Sequence, residues 1–579
     1  MARRGAAVHV VTTSRQYKGK VYRTHLLRRS YRQDGKVKNQ TLANLSHLPT
    51  HVIELIRQGL RGQTLRPVDQ SFEIVRSMHH GHVHAVLTAL KRLGFEGLIG
   101  SRPSRERDLV VAMVAARILE PASKLATTRW WKSSTLPEEF GVVDADEEQL
   151  YAAMDWLLAR QSTIERKLAS RHLEENSLVL FDLSSSYFEG THCPLAALGH
   201  NRDGKRGKLQ VNYGLLTDAA GRPVSVSVFE GNTGDPTTLM PQVTKVREGF
   251  GIKRLVLVGD RGMIAQKQID ALRQQEEGVD WITALRTEAI RKLVEQGHIQ
   301  MGLFDERNLF ELTHPDFPGE RLVACRNPEL AKLRAHKRRS MLEATAKELD
   351  KVRDMVGRGR LAGKDKIGVR VGKVVDRYKM AKHIRLDISE ERFDHAIDEA
   401  AVAAEAALDG IYVVRTSLPP EQLDSADTVR SYKLLADVER AFRCMKTVDL
   451  NIRPIYHWSE NRVRAHIFLC MLAYYVQWHM IEAWRPLLFC DEEQEAKKQR
   501  DPVAPARRSA SALDKVHTKH LADGTPAHSF RTLLTDLATI VRNVCRTPGA
   551  NDDAPTFEVV TTPTPAQRRA YELLEALPV

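Results

Sequence analysis

Cysteine is scarce and dispersed, with six in 579 residues, at Cys193, Cys325, Cys444, Cys470, Cys490 and Cys545. No two form a C-x-x-C pair, which argues against a zinc knuckle or a disulfide framework and suits a reducing compartment. Long apolar runs are missing too. The opening MARRGAAVHVVTTSR carries charge but no apolar core of the length an export signal needs. The greasiest stretch, Ala465 to Trp484, is interrupted by His466, Gln477, His479 and Glu482, so it is expected to be a buried helix of a soluble domain and not a membrane span. A complete ATP loop is also lacking: in GRGRLAGKD, Gly357 and Gly363 are six apart instead of five and Asp365 replaces the Ser or Thr, so no ATP site is expected.

What is abundant is positive charge. Lys and Arg total 87 against 73 Asp and Glu, a net +14 that favours a polyanionic partner: DNA, RNA or an anionic membrane. The length exceeds one hydrophobic core and suggests roughly three to five domains. Residues 1–70 contain two polar, extended runs around Asp34-Gly35, a dipeptide suited to a tight hairpin with a basic face. Residues 71–175 turn helical, in RDLVVAMVAARIL and EEQLYAAMDWLLARQ, with a helix-turn-helix-like break at Pro121-Ala122-Ser123. That segment is expected to bind DNA or to dimerise.

Past Asn176 the period becomes that of strands. LVLFDL is an apolar run suited to a strand covered on both faces, and KLQVNYGLLTD and PVSVSVF form a hairpin around Ala219 to Gly221. A helix starting at Asp235-Pro236 and the strand RLVLVGD follow, then helix QKQIDALRQQ and strand DWITALR. This α/β order resembles the ribonuclease H-like fold, a mixed sheet with helices on its faces. The expected division is a core over 176–286, an inserted α+β domain over 287–408, the rest of the core over 409–490, and a flexible linker with a helical tail over 491–579.

Three carboxylates carry the chemistry. Asp182 sits within the apolar LVLFDL, where a carboxylate is expensive unless paired, hydrogen-bonded or metal-bound. Asp260 ends RLVLVGD, where it could converge on Asp182 or simply cap the following helix. In SYKLLADVERAFRCMKTVD, Tyr432, Glu439 and Lys446 recur every seven residues, close to two helical turns, and so share a face. A hydroxyl, a carboxylate and an ammonium in one stripe pack poorly and suit phosphate and metal. Two Mg²⁺ ions about 4 Å apart, held by hard oxygen ligands, are what phosphodiester chemistry calls for.

Together these motifs are similar to those of the DDE transposases of bacterial insertion sequences, in the branch whose ribonuclease H-like core is split by an inserted strand-rich domain. That branch carries Tyr, two residues, Arg, three residues, Glu, six residues, Lys. Tyr432, Glu439 and Lys446 match, while Leu435 stands at the Arg position, leaving Arg440 or Arg443 as its replacement. FDLSSSYFEG, EGNTGDPTTL and GDRGM match as well, and the resemblance runs from about Tyr22 to Trp484.

The resemblance implies that Asp182, Asp260 and Glu439 bind Mg²⁺, with Mn²⁺ as an alternative, and that Tyr432 and Lys446 hold phosphate. It implies cleavage at terminal inverted repeats of double-stranded DNA, joining to target DNA, a homodimer or larger assembly, and a place in the bacterial cytoplasm at the nucleoid. A catalytically silent DNA-binding regulator and a nuclease without strand transfer remain open as alternatives. Trp281 is expected in the core more readily than stacked on a base. His457 and His466 are expected to pack or touch phosphate and not to hold zinc, and Lys332 to Arg339 reads as a solvated helix face.

Overall fold

The computed structural model describes residues 7–63, 71–275, 278–304, 308–551 and 553–578. The first six residues of the opening segment and the expected boundary at 70 lie outside them. The chain forms two compact units, Met1–Ser77 with Arg542–Thr561, and Met78–Val541 with Thr562–Val579.

In the first unit, β1 (Val8–Tyr17), β2 (Lys20–Gln33) and β3 (Lys36–Asn44) form an antiparallel meander. Asp34 and Gly35 take φ of +53° and +74°, the left-handed pair that matches the twist of a two-residue hairpin. Lys18 and Gly19 do the same at the other end of β2, with φ of +48° and +73°. The segment expected to be helical from 71 begins instead with β4 (Glu73–His79).

The second unit opens with helices between Gly81 and His172. Helix Arg105–Leu119 is buried at every position from Leu109 to Leu119, and Ser123 caps helix Lys124–Trp131 by accepting from Ala126 N at 3.2 Å. The break at Pro121-Ala122-Ser123 is present, and the helix before it is core. Next come β5 (Ser177–Tyr187), β6 (Gln210–Thr217), β7 (Pro223–Glu230), β8 (Leu255–Val258) and β9 (Val279–Ala284). β5, β6 and β7 pair antiparallel, whereas β5–β8 and β8–β9 are parallel, which is the ribonuclease H-like strand order.

β10 (Leu309–Leu312) and β11 (Arg321–Arg326) fall within the expected insertion, yet they extend this sheet. After β12 (Ile384–Ile388) and β13 (Phe393–Ile397), β14 (Ile411–Thr416) pairs antiparallel with both β9 and β11, giving the order β10-β11-β14-β9-β8-β5-β6-β7. The reason is burial: Arg321 through Cys325 are all buried, so β11 needs cover on both faces. Outside the sheet lie helices Pro328–Gly357, Lys364–Tyr378 and Glu399–Ala406 and the β12–β13 hairpin, around a separate core of residues such as Leu349, Val352, Ile367, Val371 and Phe393. The GRGRLAGKD segment joins two of these helices, and no strand precedes it.

Helix Glu460–Ala483 is buried without a break from Ala465 to Gln477, as expected for a core helix. Among the described residues no helix is long and apolar enough to cross a membrane. The expected flexible linker is instead packed. Asn327 Nδ2 donates to Val503 O at 3.0 Å, Val503 is fully buried, and Lys515 Nζ donates to the carbonyls of Arg485, Pro486 and Leu488. Partners outside the stretch, a side chain for Val503 O and backbone carbonyls for Lys515, tie it to the rest of the fold. The tail also contains β15 (Val541–Arg546) and β16 (Phe557–Val560), which join β4 in a sheet of order β16-β15-β4 in the first unit.

One buried ion cluster holds the extended sheet to the helix before β9. The Glu320 side chain is fully buried, paired with Arg415 on β14 and, at 2.7 Å, with Arg273. Glu320→Ala would leave Arg415 buried without a counter-charge, a loss of about 3–5 kcal/mol. Its thermal midpoint should fall well below that of Lys332→Ala, which removes only an exposed pair with Glu329. Equal midpoints would refute the role given to Glu320.

Candidate active site

The parallel register brings two of the predicted carboxylates together. Leu180 and Val258 are the last pair of the β5–β8 ladder, and each chain carries a carboxylate two residues further on, Asp182 still within β5 and Asp260 past the end of β8. Asp260 stands just past the end of β8, where its Oδ1 accepts from Gly262 N at 3.0 Å and Met263 N at 2.7 Å. It therefore caps a turn, and the next helix begins only at Gln266. The capping role and a place at the site coexist.

Glu439 comes from helix Leu435–Arg443, which packs along β5. The stripe is not one helix. Tyr432 is the penultimate residue of helix Ser425–Lys433, Leu434 separates that helix from the next, and Lys446 lies in a π-helical turn, Cys444–Val448. The wider turn changes the helical phase after Arg443, so Lys446 reaches the site by a different geometry from a straight seven-residue repeat.

Asp182, Asp260 and Glu439 line a cavity of about 480 Å³, along with Asp203, Asp235, Arg202, Arg443, Lys446 and Arg453. Burial pushes the Asp182 carboxyl up to about 7; the charges of Asp260 and Glu439 add to this, while the Leu183 N–H at 2.8 Å and Arg202 oppose it. Burial, reinforced by Asp260, Glu439 and Asp182, also pushes the Tyr432 hydroxyl up to about 12. Tyr432 itself is not among the residues that line the cavity. Among the described residues no three His, Cys, Asp or Glu side chains gather closely enough to hold an ion between them; the three carboxylates line the cavity wall.

The cations are tied down. Lys446 is buried, its Nζ 3.1 Å from Asp203 Oδ1, and Arg453 pairs with the same oxygen. Asp203 Oδ2 accepts from Tyr187 N at 3.0 Å, and its carboxylate is 2 % exposed. Arg202 pairs with Asp235. Of the two candidates to replace the missing Arg, Arg443 is exposed and lines the cavity, whereas Arg440 pairs with Asp437 at 2.8 Å and is absent from the lining. Leu435 is buried in the core.

Sequence reasoning missed Asp203, Arg202, Asp235 and Arg453. The dense charges of HNRDGKRGK were the available signal; nothing local marked Arg453. Trp281 is buried on β9 under the Arg273 guanidinium, 5.6 Å from its ring centroid. The His457 and His466 rings lie 5.0 Å apart, and His466 Nε2 is 3.1 Å from Ile452 O. Burial holds His457 down to about 3 and His466 well below its ordinary range.

Asp203 neutralises two cations at once, which gives a test independent of turnover. Asp203→Asn keeps an acceptor for Tyr187 N but strips Lys446 and Arg453 of their counter-charge. Its melting midpoint should drop, and added sulfate should raise that midpoint more than it raises the wild type's. Equal sulfate responses would show that the two cations are not paired through Asp203.

The family described as Transposase DDE domain matches residues 176–476, and the N-terminal domain of IS1634 family transposases matches residues 10–70. No curated protein matches the chain. A solved structure, the cryo-EM structure of a piggyBac transposase synaptic complex with hairpin DNA, is 9 % identical and covers 79 % of this chain and 77 % of that one at a TM-score of 0.31. That likeness is too distant to add to the strand order and register. The first match spans more than half of the chain and takes in the whole carboxylate-lined cavity, so the protein belongs to the DDE transposases of insertion sequences.

Proposed function

We propose that this transposase cleaves DNA at the ends of its insertion sequence and joins the freed ends to target DNA, with Asp182, Asp260 and Glu439 as metal-holding carboxylates. The observation that carries the reading is that the neighbouring strands β5 and β8 and helix Leu435–Arg443 each bring a carboxylate, Asp182, Asp260 and Glu439, to the lining of one cavity. The donor set fits the ion: hard carboxylate oxygens, one of them with a raised proton affinity that a nearby positive charge would lower. Bound Mg²⁺, or Mn²⁺, supplies activation of the attacking oxygen and stabilisation of charge on the scissile phosphate.

The chain's own groups supply the rest. The Tyr432 hydroxyl keeps its proton at any working pH and can donate to a phosphate oxygen. Arg443 is the exposed cation on the cavity rim and takes over the phosphate contact that Leu435 cannot make. Lys446 and Arg453, held by Asp203, face the same space. The N-terminal unit, with exposed Arg15, Lys20, Arg23 and Arg32, is read as a surface that holds duplex DNA. Two ends of one element must be processed together, so the acting form is a homodimer or larger, working at the bacterial nucleoid.

Replacing Asp182, Asp260 or Glu439 singly with Ala should abolish Mg²⁺-dependent nicking of DNA bearing the element's ends, while gel-shift affinity for that DNA stays within a few fold. Continued cleavage by the triple variant would refute the site. Cleavage by the wild type without joined products would mark a nuclease instead.

A further inference from the structure

Two large rings stand in solvent on the segment that follows Arg453, a residue of the cavity lining. Trp458 is 71 % exposed and Tyr456 61 %, and neither belongs to a buried apolar cluster. Side chains of this size are usually buried on average, so their exposure is informative. Both lie on the segment leading away from Arg453, which lines the cavity. Ile455 N donates to Tyr187 O at 3.2 Å and Glu189 N donates to Ile455 O at 2.9 Å, so this segment runs along the end of β5. Trp458 is five residues beyond Arg453, at most about 17 Å of extended chain.

The same end of β5 carries a basic loop. Lys205 Nζ lies 5.7 Å from the Tyr187 ring centroid, Lys208 Nζ pairs with Glu189 at 3.3 Å, and Arg206 is exposed between them. Three cations against one carboxylate leave the strip positive. Exposed rings beside a positive loop, with no base-reading geometry, are the combination that binds single strands: every base offers a π-face, and the loop takes the backbone. A duplex hides those faces in its own stack. A second copy of the chain fits worse, because two rings fall far short of the roughly 800 Å² per partner of a standard interface and the strip would meet its own charge.

We propose that Tyr456, Trp458 and the Lys205–Lys208 loop form a track for single-stranded DNA leaving the cavity, with bases stacked on the two rings and phosphates against the loop. This rests on the reading of the cavity as a phosphodiester-cleaving site and names where the freed strand goes.

The test uses the full chain carrying Asp260→Asn, so that the DNA survives, and a fluorescein-labelled twelve-nucleotide oligo-dT as probe. Trp458→Ala and Tyr456→Ala should each weaken binding about tenfold, and Trp458→Phe should recover most of the loss. Lys205→Ala with Lys208→Ala should flatten the salt dependence, lowering the slope of log K against log[salt] by about one. Unchanged oligo affinity in the two alanine variants overturns the proposal. So does a fall in sedimentation mass with Trp458→Ala at constant oligo affinity, which would make the strip a contact between copies. If the carboxylate variants go on cleaving end-bearing DNA, the proposed function fails, and the oligo measurement still reads the track on its own.

Discussion

The parallel pairing of β5 with β8 delivers two carboxylates, Asp182 and Asp260, to one cavity wall. Neither can retreat: Asp182 is flanked by the fully buried Phe181 and the nearly buried Leu183, and Asp260 is clamped by two backbone N–H groups of its own turn. Burial, with the charges of Asp260 and Glu439 adding to it, raises the proton affinity of Asp182 towards neutrality. Around the pair, positive charge is present but already partnered, Arg202 by Asp235 and both Lys446 and Arg453 by Asp203. The cavity thus keeps a surplus of unneutralised carboxylate at the Asp182–Asp260–Glu439 wall, with cations held at fixed positions nearby.

A register is only as rigid as the layers on either side of it. On one flank, Glu165 is buried to 1 %, accepts from Gln161 Nε2 at 2.8 Å and Val226 N at 3.1 Å, and pairs with Lys245 at 2.7 Å. That single side chain joins helix Gln161–His172, β7 and the helical segment after β7. On the other flank, Glu320 joins β14 to helix Gln266–Arg273. Buried ion pairs add little net stability against apolar packing, yet they are severe about geometry, since any slip strands a charge. Helix Glu460–Ala483, buried along most of its length, supplies the bulk apolar cover, packing on β7 and on helix Arg105–Leu119.

The core was legible in the sequence because its signals are local. An apolar run with one Asp, an alternating Val-Ser strand and an Asp-Gly turn each follow from their own few residues, and β5, β7 and the β2–β3 turn appear where those signals put them. What escaped was set by distant partners. β10 and β11 look like an inserted pair until β14 returns beside β9, and β15 and β16 lie more than 460 residues from β4, with which they form a sheet. The charged stretch 491–528 reads as solvated because its hydrogen-bond partners, the Asn327 amide and the Arg485 carbonyl among them, belong to segments outside it. The same holds within the site. Asp182 announces itself by its cost in an apolar strand, whereas the Asp203 pairing with Lys446 spans 243 positions and leaves no spacing to read.

The seven-residue stripe shows how a correct local signal acquires its meaning only in three dimensions. Spacing alone treats Tyr432, Glu439 and Lys446 as equivalent members of one face. The fold gives them different places: Glu439 lines the cavity, Tyr432 lies half-buried outside its lining with burial holding the proton on its hydroxyl, and Lys446 is buried against Asp203 after a wider turn. Leu435 belongs to the buried side of the helix, where an arginine would have to reach out past Val438 and Phe442 or be buried uncompensated. Arg443, two turns further along and exposed at the rim, can reach phosphate without that penalty. A leucine at 435 therefore suits the packing of the helix on β5, the contact that carries Glu439 to the cavity wall, and under the proposed function the phosphate contact falls to Arg443.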